Sequence, residues 1–432
     1  MSDRRRFDVL VVGGGPAGIA AACCAAEASL RVAIADDNPA LGGQIWRGEH
    51  VSPSTQEAAH WYRRLKELRV EHLPGARIFA QTDARTLVAE TDIGVCKLGF
   101  ETLIVATGAR ERFLPFPGWT LPNVMGAGGL QALARSGLDV RARKVVVAGT
   151  GPLLLAVAAH LKSYGADVLL VAEQAPWRRL LPFTLGLSPS KLKDALSLRR
   201  QLAGIPYLAG CWPVAAQGKE KLESVTLRRG AKSWNLACDY LACGFHLAPN
   251  IELASLLGCA LDDGKVRVDD FQQTTISAVY CAGEPTGVGG LELSVVEGQI
   301  AGFAAAGRLD SARRLIAKRN KLRRFASSLE RAFVLRPELK QLPLPETLVC
   351  RCEDVSLSRL REHPSWRAAK LLTRCGMGPC QGRICGPAVE FLLGWQPESV
   401  RPPLFPVRVE SLMAAAASAI SETSSPNPVS RS

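Results

Sequence analysis

The stretch "FDVLVVGGGPAGIAAACCAAEASLRVAIADD" begins at Phe7 and constrains the fold more than any other part of the chain. An apolar strand, a glycine turn, an alanine-rich helix and a second apolar strand follow one another directly, which is the order of a β-α-β unit. The pattern predicts strands over Phe7–Val12 and Leu30–Ala35. Gly13, Gly15 and Gly18 stand at G-x-G-x-x-G spacing. The first glycine permits the tight turn, the second lets a pyrophosphate approach the backbone, and the third lets helix and strand pack closely. The helix N-terminus then offers free N–H groups and a positive dipole end to phosphates. Asp36 closes the unit 23 residues after Gly13, where a carboxylate can accept hydrogen bonds from a ribose hydroxyl. The unit reads as dinucleotide-binding.

A second unit of the same grammar, "RKVVVAGTGPLLLAVAAHLKSYGADVLLVAE", carries Gly149 and Gly151 but has Leu154 at the third glycine position. A leucine there is expected to disturb the close helix–strand contact and with it the phosphate geometry. Glu173 keeps the acid position. Two readings stay open: an NAD(P) site, or a domain retained as structural support.

Five of the chain's thirteen cysteines fall between Cys350 and Cys385, in "VCRCEDV" and "TRCGMGPCQGRIC". No C-x-x-C occurs, which argues against the redox-active pair of a disulfide reductase. Cys23 and Cys24 lie on the predicted first helix, where small-residue packing points to inert burial. Zinc sites favour C-x₂₋₄-C knuckles, whereas Cys350 and Cys352 have one residue between them. Four thiolates can instead hold an iron–sulfur cluster. Spacing alone allows either Cys375 and Cys380 or Cys380 and Cys385 as the second pair. Zinc remains the competing reading. Gly376, Gly378 and Gly382 supply backbone freedom around the group.

A chain of 432 residues, 47% apolar, has room for roughly two to four domains. No apolar run approaches the ~18 residues a spanning helix needs. Arg4, Arg5 and Arg6 precede an apolar stretch, yet cleavage after a signal there would remove the glycine loop. The expected location is cytoplasmic, a reducing compartment in which clustered thiols bind metal or do redox work. The net charge is +13. From Arg308 to Lys340, eleven basic residues face three acidic ones in a segment that reads as a helical linker. Without an accompanying nucleic-acid motif, a solvated face or an acidic partner explains that charge better than nucleic acid. The six histidines are scattered. No catalytic general base is assigned, and His246, in "CGFHLAPN", is given no chemistry. The stretch from Ala414 has few large apolar residues after Ile420 and is expected to be disordered.

"NPALGGQIWR", "ETLIVATGARER" and "TTISAVYCAGEPTGVGGLELSVVEGQIAG" resemble motifs of the two-dinucleotide-domain flavoproteins that include glutathione and thioredoxin reductases. The resemblance implies FAD on the first glycine loop, with Gly42, Gly43, Gln44, Gly108, Gly283 and Glu284 joining Gly13, Gly15, Gly18 and Asp36. Glu284 stands where that superfamily more often has Asp. The cysteine segment resembles the [2Fe–2S] domain of bacterioferritin-associated ferredoxin, and on that resemblance the ligands are Cys350, Cys352, Cys380 and Cys385, with Cys375 a neighbour.

From about Phe7 to about Pro406 the chain resembles the FAD and [2Fe–2S] α subunits of hetero-oligomeric amine dehydrogenases, the group of opine oxidases, D-hydroxyproline dehydrogenase and hydrogen cyanide synthase. This implies an α/β fold with two Rossmann-like domains, the FAD domain being interrupted by an NAD-like one, plus a small C-terminal α-rich [2Fe–2S] domain. The expected divisions are 1–114 and 243–308 for the FAD domain, 115–242 for the NAD(P)-binding-like domain, 309–344 for the basic linker, 345–406 for the cluster domain and 407–432 for a C-terminal segment with a disordered tail. The implied partners are an FAD-containing β subunit that oxidises a secondary amine or imino acid and a small [2Fe–2S] γ subunit. FMN at a subunit interface is a further reading of the basic segment. The alternative function is a self-contained NAD(P)H-dependent FAD and iron–sulfur oxidoreductase.

Overall fold

A computed structural model describes residues 3–48, 50–51, 55–397 and 400–423. Two units emerge. The first comprises residues 1–109, 249–324 and 399–432, and the second comprises 110–248 and 325–398. The expected crossings are 114/115 and 242/243; the fold places them at 109/110 and 248/249, and groups residues 345–397 with the second unit.

The first unit is built on a seven-stranded sheet. Its parallel centre runs Glu71–Leu73, Val32–Ala35, Asp3–Val12, Gly94–Val105, and Val279–Cys281 adds a further parallel neighbour to Gly94–Val105. The first strand starts earlier and the second later than expected. The antiparallel strands Arg77–Asp83 and Thr86–Thr91 close the far edge. The helix Pro16–Ala26 is buried along its whole length, because the helix Leu291–Ala305 covers its other side. Gly298 and Gly302 make that crossing possible: a Cβ on either would lie 2.1 or 2.2 Å from the carbonyl oxygens of Ala17 and Ala21. Cys23 and Cys24 are fully buried in this layer, and burial pushes their thiols up to about 12.

The second unit carries a five-stranded parallel sheet ordered Tyr207–Ala209, Asp167–Glu173, Lys144–Thr150, Tyr240–Phe245, Val124–Gly126. Its central strand is a continuous apolar run, as a strand covered on both faces must be. The connections reverse between Lys144–Thr150 and Tyr240–Phe245, which is the topological switch point where doubly wound sheets take their ligands. A three-stranded antiparallel sheet, Cys211–Gln217, Ser224–Arg229 and Lys232–Ala237, packs beside it. The cysteine segment has a small strand pair, Leu348–Cys350 with Val355–Ser356, and the helices Leu357–Arg361, Trp366–Thr373 and Cys385–Leu393.

The basic segment forms the helix Leu309–Ala332. Its charge is only partly a solvated face. Arg319 is 2% exposed and pairs with Asp270 at 2.6 Å, while Arg323 pairs with the buried Glu297 at 2.7 Å. The C-terminal stretch is helical over Val409–Thr423, not disordered from Ala414, because its alanine run favours helix. Residues 424–432, the rest of the expected disordered tail, lie outside the described residues. Among the described residues no helix is long and apolar enough to cross a membrane.

Candidate functional site

In the first glycine loop, Gly13 and Gly18 stand where a side chain has no room. Gly13 has φ +105° and a Cβ there would sit 2.2 Å from the Ala106 carbonyl oxygen; one on Gly18 would sit 1.9 Å from the Gly13 oxygen. Both positions exclude side chains. Gly15 is different, since nothing lies nearer than Gly43 Cα at 4.0 Å. Its open face adjoins the N-terminus of Pro16–Ala26, whose first turn has neither a side-chain cap nor an acidic residue. Uncapped N–H groups beside an open glycine fit a pyrophosphate. Asp36, 6% exposed, accepts from the Gly14 and Asn38 N–H groups and from Asn38 Nδ2. The carboxylate thereby pins the loop to the end of the second strand.

Gly42 and Gly43, with φ +122° and +58°, bring the next turn over the loop, and a Cβ on Gly43 would approach Gly15 Cα to 2.9 Å. Gln44 is exposed on this turn, and Gly108, φ +71°, follows the strand Gly94–Val105. At Gly283, φ +79°, a Cβ would strike that of Ala17 at 2.8 Å. Glu284 comes next. Its Oε1 accepts from Gly290 N–H at 3.0 Å and Ser294 Oγ at 3.4 Å, whereas its Oε2 is buried without a partner. Burial raises this carboxyl to about 6. An orphaned acceptor here fits a ligand hydroxyl group, the role implied for it. Glu297 was not singled out from the sequence. It accepts from Gly283 N–H at 3.0 Å and Thr286 Oγ1 at 2.7 Å, and so holds the turn that presents Glu284. The residues of this unit fit FAD.

The cysteine segment gathers its sulfurs. The Sγ atoms of Cys350, Cys375 and Cys385 lie within 4.8 Å of one another, all buried. Cys380 adjoins both Cys385 and the exposed Cys352. Backbone N–H groups of Gly376 and Glu353 point at Cys350 Sγ, and those of Gly382 and Ile384 at Cys380 Sγ. The Cys375 and Cys385 thiols, ahead of these N–H groups, hold the Cys350 thiol well below the ordinary cysteine range, and Cys380 is lowered chiefly through Cys385. N–H groups aimed at sulfur suit thiolates that bind metal. Gly376 and Gly382 both have φ +79°, and a Cβ on Gly378 would meet Cys352 Cβ at 2.4 Å. The donor set therefore fits an iron–sulfur cluster, with five sulfurs near a group that takes four. The ferredoxin resemblance makes Cys375 a neighbour, and the fold puts its sulfur inside the buried trio.

The second glycine loop departs from the first. Leu154 is 1% exposed and packs in the apolar layer between helix and sheet. Glu173, fully buried, accepts from Gly151 N–H at 2.8 Å, Thr150 Oγ1 at 2.7 Å and Ala175 N–H at 2.7 Å. The crevice at the strand ends holds the protein's own chain. The Phe333 carbonyl oxygen takes the Nε2–H of His246 at 2.6 Å and Gln174 Nε2 at 3.4 Å, and Thr150 Oγ1 lies 3.3 Å from it. Those three residues follow or end three adjacent parallel strands. The Phe333 ring is buried with Ala175, Leu180 and Ala209, and Gln174 Oε1 accepts from Arg336 N–H at 3.1 Å. Across the switch point Glu111 accepts from Gly128 and Gly129 at 2.7 and 3.1 Å, occupying the N-terminus of the helix Ala127–Arg135. His246, φ +70°, thus has a structural role that the scattered histidine pattern gave no means of finding.

Comparisons with known proteins agree with this geometry. A family model described as pyridine nucleotide-disulphide oxidoreductase matches residues 7–306. The chain is 30% identical over 460 residues to an opine oxidase subunit of Agrobacterium tumefaciens (strain Ach5), covering 94% of this chain and 91% of that one. It is 31% identical over 422 residues to hydrogen cyanide synthase subunit HcnB of Pseudomonas protegens, covering 87% and 89%. Among solved structures, L-proline dehydrogenase from P. horikoshii shares the fold, with a TM-score of 0.68 at 20% identity, over 95% of this chain and 80% of that one.

Proposed function

We propose that this chain, which belongs to the pyridine nucleotide-disulphide oxidoreductase family, is the electron-transfer subunit of a hetero-oligomeric dehydrogenase whose partner flavoprotein subunit oxidises a secondary amine or imino acid. The chain is a flavin-dependent oxidoreductase. One observation carries the subunit reading: the crevice in which a nicotinamide dinucleotide would dock is filled by Phe333 and its neighbours. A flavin that cannot be fed from that crevice takes its electrons from another polypeptide. The relatives named as subunits of opine oxidase and hydrogen cyanide synthase support the same conclusion.

FAD accepts an electron pair and an iron–sulfur cluster passes electrons singly, so together they connect amine oxidation to a one-electron acceptor. This chain's residues supply the surroundings. Gly13, Gly15 and Gly18 would admit the pyrophosphate, Asp36 would meet the ribose, and Glu284 would accept from the flavin's hydroxyl chain. Cys350, Cys352, Cys380 and Cys385 would bind a [2Fe–2S] cluster, with the Gly376 and Gly382 N–H groups lowering charge on the sulfurs. The self-contained NAD(P)H reductase is the second reading, and Glu173 at the acid position favours it, although its oxygens are already satisfied.

An anaerobic stopped-flow experiment separates the two. The lone subunit should bleach slowly with NADH and not at all with an imino acid. Co-expression with a flavoprotein encoded nearby should give a stable complex with amine:dye oxidoreductase activity. Rapid, saturable bleaching by NADH would establish the reductase instead.

A further inference from the structure

We infer that the second unit carries an anion-binding site unrelated to flavin or cluster, for a small polyanion with two or more carboxylate or phosphate groups. A cavity of about 540 Å3 opens between the end of the five-stranded sheet and the antiparallel sheet. That size suits a ligand of many atoms, not a lone ion. Its functional lining is Trp177, Trp212, Arg228, Arg229, Arg336 and Glu338. Three arginines and a single glutamate thus line it.

Two donors in this wall are buried and unused. Arg336 Nε and Trp212 Nε1 have no hydrogen-bond partner, although buried polar groups are nearly always paired. The Arg336 guanidinium stacks on Trp212, 3.8 Å from the ring centroid, which fixes the plane of its donors. Glu338 stands 3.7 Å from Arg336 Nε, too far for a hydrogen bond, and is more than half exposed. Arg229 Nε donates to the Ala209 carbonyl oxygen at 3.2 Å and Arg228 Nε to Ser233 Oγ at 3.4 Å, so both side chains are oriented through Nε. Arg178 and Arg179 repel the same Arg336 guanidinium and deepen the positive field. A planar fork held on an indole, with a second donor beside it, matches the geometry of a carboxylate or phosphate. Trp177, 54% exposed, forms an apolar rim that a carbon skeleton would cover.

Isothermal titration of the full chain with citrate and, separately, with pyrophosphate at constant ionic strength tests the site and tells the two chemistries apart. We expect saturable 1:1 binding of one of them. Arg336→Gln should weaken it at least tenfold, and Glu338→Gln should tighten it several-fold by removing the competing carboxylate. Circular dichroism checks that each variant is folded, and Arg228→Gln serves if Arg336→Gln is not; it should weaken binding as well. Absence of 1:1 binding by both probes overturns the site. So does affinity that is equal in wild type and variants and falls only with salt, the mark of a diffuse basic surface. Binding by an acidic peptide with both small anions silent would overturn it in favour of a protein partner.

Discussion

His246 donates its Nε2–H to the backbone carbonyl oxygen of Phe333 across 2.6 Å, joining residues 87 apart in the chain at the mouth of a dinucleotide fold. Burial lowers the pKa of His246, so the neutral ring with its proton on Nε2 is the form that makes this bond. The contact ties the end of the basic helix to the ends of the parallel strands.

Loosening that interface should be visible without any cofactor. Gln174→Ala removes the acceptor of Arg336 N–H, and leaving that donor unpaired costs about 1–3 kcal/mol, while the Phe333 oxygen keeps its bond from His246. Hydrogen exchange at Arg336 should quicken in the variant. In the wild type, exchange at Arg336 should be the same with and without excess NADH; an NADH-dependent change would mean the nucleotide enters.

Gly15 is the one glycine of the first loop with open space around it. Gly15→Leu should therefore leave the chain folded while abolishing FAD, measured by absorbance and by flavin released on denaturation. Iron content should stay unchanged. Stoichiometric FAD in the variant would remove the assignment.

The flavin-free protein should lose stability as pH rises through the Glu284 transition. Its folded value of about 6 exceeds the ordinary 4.5, so its contribution is complete below 4.5 and disappears above 6. At 1.36 kcal/mol per unit the loss is about 2 kcal/mol. Unfolding free energies from urea titrations at pH 4.5 and 6.5 should converge by that amount in Glu284→Gln relative to wild type.

Iron and labile sulfide should each approach about two per chain for one binuclear site. Cys380→Ser should lose the cluster and Cys375→Ser should keep it. The buried trio of Cys350, Cys375 and Cys385 makes the comparison pointed: loss in Cys375→Ser with retention in Cys380→Ser would transfer the ligand role. Zinc without sulfide would replace the cluster altogether.

Within the basic helix, charges should divide by what they touch. Arg323→Met strips the counter-charge from buried Glu297 and should cost about 3–5 kcal/mol. Arg313→Met breaks an exposed pair with Asp310 and a guanidinium–ring contact with Phe271 at 6.0 Å and should cost about 1 kcal/mol. Equal losses in urea unfolding would contradict the division.

Both β-α-β units, the parallel strands at their centres and the tight packing at Gly13 and Gly18 were legible because they rest on local order: strand, turn and helix are neighbours in the chain, and a glycine either has room for a Cβ or does not. The clustering of thiols was legible for the same reason. Which sulfurs meet was not, since Cys350 comes beside Cys375 and Cys385 only through the strand Leu348–Cys350 and the helix Cys385–Leu393. Leu154 directed attention to a defect in the second loop, yet the leucine is well packed and the crevice is filled from elsewhere. Arg319 and Arg323 read as surface charge because nothing in their helix announces the acids at 270 and 297. By itself the sequence determined the local units and the chemistry they invite. Only the tertiary structure decided that Phe333 would sit against the ends of three parallel strands, because a long-range contact is selected by the shape and unmet hydrogen bonds of strand ends distant in the chain.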